Sequence, residues 1–141
     1  MSPRILIPVD ESATSQHTIQ AIIANKELVP HEIYLLHVVD VQLIHRLVPD
    51  IQKNMIYEAA EKAGRRILEK LAGQFRAAGF KPRLLLELGT PDTAILKVVA
   101  EQEIQLLIMG RNPGGGGIRD VMFGSVANDV IRAINCPVLM F

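Results

Sequence analysis

The chain is poor in cysteine, in net charge and in long apolar runs, and each shortage excludes something. A single cysteine, Cys136, among 141 residues excludes an internal disulfide and fits a reducing compartment. Fifteen basic residues balance fifteen acidic ones, so no global field draws the chain to nucleic acid or to a membrane surface. Apolar residues make up 49% of the sequence. Even so, no run approaches the roughly 18–20 residues needed to span a bilayer. The start, Met1-Ser2-Pro3-Arg4, offers no charged-then-apolar leader and no small-residue cleavage site. The four histidines, His17, His31, His37 and His45, have no metal-like spacing. Cys136 has no histidine or ligand partner near it in sequence and reads as a small buried or half-buried thiol. The expectation is one soluble, cytoplasmic domain over residues 1–141 with no nucleic-acid or membrane partner.

What is present is an alternation of short apolar runs with helical patterns. Runs over 4–9, 33–39, 83–88, 105–109 and 138–141 are nearly continuous in apolar character, as in strands covered on both faces. His37 interrupts the second and reads as a packed, hydrogen-bonded residue. Charged residues near both ends of the third suit an outer position. Between the strands, Ser12 is a plausible N-cap for a helix over 13–25 carrying Ile19, Ile22 and Ile23 on one side. Residues 41–50 read as a loop with one helical turn. The longest helix, over 52–78, places Ile56, Ala60, Ala63, Ile67, Leu71 and Phe75 on one face, with Gly79 ending it. Thr90-Pro91-Asp92 is a helix start, with Thr90 as N-cap, for a helix over 91–102. A last helix covers 126–134. The order βαβαβαβαβ predicts a parallel sheet with helices on both faces.

One stretch carries chemistry. Residues 110–126 read Gly-Arg-Asn-Pro-Gly-Gly-Gly-Gly-Ile-Arg-Asp-Val-Met-Phe-Gly-Ser-Val, between the fourth strand and the last helix. Glycines lack a Cβ, so their N–H groups can turn toward one point and approach a phosphate closely. Gly124-Ser125 then opens a helix whose first N–H groups are unpaired and whose dipole favours an anion. Four glycines in a row are also what an unconstrained linker looks like.

The same residues resemble the universal stress protein family. Its nucleotide-binding members carry Gly-x2-Gly-x9-Gly-Ser/Thr at this point; here three residues separate Gly110 from Gly114, and Gly124-Ser125 follows after nine more. Pro8-Val9-Asp10, Leu36-His37-Val38, Met109-Gly110, Gly124-Ser125-Val126-Ala127 and Cys136-Pro137-Val138-Leu139 also fall where the family has similar residues. The resemblance implies an α/β fold: a three-layer, doubly wound, five-stranded parallel sheet in the order 3-2-1-4-5, adenine nucleotide alpha hydrolase-like. It implies ATP as ligand, with or without Mg2+. Val9, Asp10 and Val38 would meet adenine and ribose, Gly110, Asn112, Gly114, Gly124, Ser125 and Val126 would meet ribose and phosphates, and Pro8 and Met109 would join the nucleotide site. It also implies a homodimer through the C-terminal strand, acting in a stress response on an unknown protein partner. Two alternatives stay open: a nucleotide-independent interaction module of the same fold, and a slow ATP hydrolase or phosphotransferase. Against the latter, only Asp120 offers a base beside the loop, and no Walker lysine follows the glycines. Against a dinucleotide dehydrogenase, the first strand lacks the Gly-x-Gly-x-x-Gly turn and the expected single domain leaves no second one.

Overall fold

Ile5, Leu6 and Ile7 are fully buried, and that places their strand, β1 (Ile5–Pro8), in the middle of a sheet covered on both faces. The computed structural model describes residues 3–41, 46, 53–110 and 125–141. Within them β2 (Glu32–Asp40), β3 (Lys81–Gly89), β4 (Leu106–Met109) and β5 (Val138–Met140) join β1 in one five-stranded sheet. The order is β3-β2-β1-β4-β5, and every neighbouring pair is parallel. The parallel sheet is the one the βαβ alternation predicts, the strand order is the one the family resemblance implies, and β3 is at an edge.

Alternation along the strands makes two cores. Ile5, Ile7, Ile33 and Leu35 face α1 (Ala13–Ala24) and α2 (Lys53–Ala77), where Ile19, Ile22, Leu71 and Phe75 meet them. Leu6, Leu36 and Leu107 face α3 (Pro91–Glu101) and α4 (Ser125–Ala133), through Ile95, Val98 and Val130. Each such side chain contributes roughly 1.5–3 kcal/mol when fully buried, so these layers fix which helix lies on which side.

Helix ends follow local chemistry. Ser12 is the N-cap of α1, with its Oγ accepting from the Ser15 N–H at 3.1 Å. At the end of α2, Gly79 has φ 95°. Its N–H bonds Arg76 O and the Phe80 N–H bonds Phe75 O, both at 3.0 Å, while the Phe75 and Phe80 rings meet edge-on at 5.4 Å. That is a Schellman closure with its apolar clasp. The end of α3 closes in the same way on Glu103, a non-glycine residue at φ 52°.

Some boundaries differ from the pattern-based ones. β2 and β3 extend to nine residues each because they pair in unbroken register from Glu32 with Lys81 to Asp40 with Gly89. Pro82 is accommodated because β3 is an edge strand. A 3-10 turn, Lys26–Leu28, was not foreseen. Thr90 takes the N-cap position of α3, but its side chain makes no capping bond. The helical turn expected within 41–50 lies almost wholly outside the described residues, and Asp120 lies outside them as well.

Candidate functional site

Parallel connections bring every strand's exit to the same end of the sheet. From β1 the chain turns to the face covered by α1 and α2, and the helix beyond β4 is on the face covered by α3 and α4. β1 and β4 are neighbours, so the crevice between them opens at a topological switch, the usual ligand position in open α/β sheets.

A cavity of about 350 Å³ occupies that crevice, within the range of small-molecule sites. Its walls include Pro8, Val9 and Asp10 from the exit of β1, Val38 from β2, Met109 and Gly110 from the exit of β4, and Val126 from the first turn of α4. Seven of the expected site residues are thus brought together. Ser125 is the first residue of α4. Asn112, Gly114 and Gly124 lie outside the described residues.

Three helix starts border the cavity: Ser12, Thr14 and Ser15 of α1, Pro91 of α3, and Val126 of α4. Their N-terminal N–H groups and dipoles make this end of the molecule favourable to negative charge. The remaining wall, from Val9, Leu36, Val38, Ile95 and Met109, is apolar. The combination is an apolar slot beside an electropositive rim, suited to a flat ring joined to an anion.

Local hydrogen bonds hold the rim. Asp10 is exposed, and its Oδ1 accepts from the Ser12 N–H at 2.7 Å. The Asp10 N–H donates to the Ser15 Oγ at 2.8 Å. So one carboxylate oxygen serves the turn that leads into α1. His37 Nδ1–H donates to the Val9 carbonyl at 2.9 Å, fixing the chain where it leaves β1. The packed, hydrogen-bonded role expected for His37 holds, and it also lines the cavity.

Gly110 has a reason of its own to be glycine. A Cβ there would overlap the Thr18 Oγ1 and approach Thr14 Cγ2 at 2.9 Å and the Thr14 carbonyl at 3.3 Å. Thr18 is held in place by donating to the Thr14 carbonyl at 2.9 Å. Close approach of α1 to the exit of β4 therefore requires the missing side chain.

The hydroxyl-rich first turn, Ser12, Thr14 and Ser15, escaped the sequence reading as a lining element, although three hydroxyls within six residues of a strand-end aspartate were there to be seen. Among the described residues, no group of three or more His, Cys, Asp or Glu could hold a metal ion, and no helix is long and apolar enough to cross a membrane.

Known proteins share this architecture. The chain is similar to universal stress protein MJ0577 of Methanocaldococcus jannaschii, 26% identical over 155 residues that cover 99% of this chain and 94% of that one. The solved structure of MJ0577 superimposes with a TM-score of 0.81 at 27% identity, covering 99% of this chain and 95% of that one. The universal stress protein from Archaeoglobus fulgidus in complex with dAMP shares the fold, with a TM-score of 0.63 at 24% identity and 99% and 97% coverage. The model of the universal stress protein family matches residues 1–141, and the chain belongs to that family.

Proposed function

We propose that residues 1–141 act as one domain that binds an adenine nucleotide, ATP with or without Mg2+, between the exits of β1 and β4. The observation that carries this reading is the cavity at the switch point, with an apolar slot on one side and three helix starts on the other. Adenine fits between Val9, Val38 and Met109, with the ribose near Asp10, whose Oδ2 is directed by the Oδ1 bond to Ser12. Gly110, Asn112, Gly114, Gly124, Ser125 and Val126 meet ribose and phosphates. Charge-assisted bonds of this kind contribute roughly 1.5–3 kcal/mol each, so several together offset the phosphates' lost hydration. The dAMP carried by the Archaeoglobus fulgidus protein supports the same ligand class on this fold.

The role is regulatory rather than catalytic: a homodimer, paired through β5, whose partner surface answers to nucleotide in a stress response in the cytoplasm. Acid extraction of the purified chain tests the ligand. Adenine nucleotide released at about one per chain is the expected result. An extract free of nucleotide, from protein that also gives no calorimetric heat with millimolar ATP and Mg2+, would support the nucleotide-independent module instead.

A further inference from the structure

At the opposite end of the sheet, where β1, β2 and β3 begin, a second and larger cavity of about 630 Å³ is lined by four cations, Arg4, Arg76, Lys81 and Arg83. Glu32 is the one carboxylate in its wall, and Tyr34 and Phe80 supply ring surface. In a chain with equal numbers of basic and acidic residues, this is a local segregation of positive charge. Two of the cations have structural tasks. Arg4 Nη1 donates to the Gln102 carbonyl at the end of α3 at 2.9 Å and pairs with Glu103 at 3.7 Å; Arg76 pairs with Glu69 at 3.0 Å. All four of those side chains are substantially exposed, and exposed pairs hold little net energy, so a ligand can take them over. Lys81 and Arg83 are different. They are exposed, they project from one face of β3, and among the described residues neither has a carboxylate partner. The Arg83 guanidinium lies over the Tyr34 ring at 5.8 Å, which orients its donors without consuming them.

Helix C-termini collect at this end of a parallel α/β sheet, and their dipoles repel anions. A ligand must therefore carry enough charge to engage several side chains at once. We propose that this cleft is a second ligand site, for a chain of two or more linked phosphates, separate from the cavity at the carboxyl end. Linked phosphates place several charges within a few ångströms, and guanidinium groups meet their oxygens in pairs. A single carboxylate would face Glu32 with little gain.

Titration calorimetry of the full chain with sodium tripolyphosphate tests the site, and variants at Lys81 and Arg83 separate it from the anion-favouring rim of the other cavity. Saturable binding that weakens as salt rises is expected. The Lys81→Gln/Arg83→Gln double variant should bind at least tenfold more weakly, each single variant should lose part of that, and Arg83→Lys should also lose affinity, though less than Arg83→Gln, because an ammonium keeps the charge and not the paired contact. No saturable binding, equal binding by the double variant, or citrate binding as tightly as tripolyphosphate would overturn the proposal.

Discussion

Gly110 and Cys136 show how much a single position's meaning depends on what packs against it. From spacing alone Gly110 is a phosphate-loop glycine, yet the Thr14-Thr18 turn of α1 already fills the space its side chain would take. Gly110→Ala is therefore expected to lower stability by about 1–3 kcal/mol, as overpacking does, with or without nucleotide. Urea denaturation of the two proteins measures it. Thr18→Ala added to Gly110→Ala should recover part of the loss, because the two positions share one contact; a purely additive pair would contradict the packing account. Cys136 is a partly buried thiol whose ionisation burial pushes up from the ordinary value, while backbone hydrogen bonds, first that of Leu107, oppose the shift. The folded chain holds the thiol proton more tightly than the unfolded chain. The stability this contributes is complete below the unfolded thiol's pKa and is lost as pH rises through the folded one. Iodoacetamide labelling of the native chain should consequently reach half its maximal rate at a higher pH than labelling of the same chain in urea. Equal midpoints would rule the shift out.

Elements are where the sequence was most legible. The apolar runs of β1 and β4 read as central strands because both of their faces are buried, and the charge at the ends of β3 read as an edge because only one neighbour pairs with it. Helix starts and stops at Ser12, Pro91 and Gly79 were visible because each has a local chemical cause. The full lengths of β2 and β3 were not, since their ends are held by mutual pairing that no single stretch encodes. The hydroxyls of α1 and the side chain of His37 joined the cavity only through tertiary placement. β5 carries the most testable consequence at this scale. It is an edge strand pairing only with β4, and Leu139 on it remains 41% exposed. An open apolar edge favours pairing with a second copy. Leu139→Lys should shift the chain from dimer toward monomer in sedimentation velocity at micromolar concentration, leaving the circular dichroism spectrum unchanged. A parent chain that sediments as a monomer at every concentration would remove the dimer from the proposal.

The whole molecule has two chemically different ends. Every helix that follows a strand starts at the carboxyl end and finishes at the amino end, so unpaired N–H groups gather around the carboxyl-end cavity, while the cations of the other come from the starts of β1 and β3 and from Arg76 of α2. Strand β2 contributes to both: Tyr34 and Leu36, two positions apart on one face, line the amino-end and carboxyl-end cavities. Along a strand that is a separation of about 7 Å. Because the walls of the carboxyl-end cavity come from β1, β2, β4, α1, α3 and α4, its geometry exists only in the folded chain. A nucleotide held there binds the native state and not the unfolded one. At about 100 times its dissociation constant it stabilises by roughly 2.7 kcal/mol, which for a chain of this size raises the melting temperature by roughly 5–10 °C. Asp10→Ala should shrink that shift by removing the carboxylate beside the ribose, while the Lys81→Gln/Arg83→Gln variant should keep it in full. A scan with millimolar ATP and Mg2+ in which parent and Asp10→Ala shift equally, and the Lys81→Gln/Arg83→Gln variant does not shift, would move the nucleotide to the opposite end of the sheet.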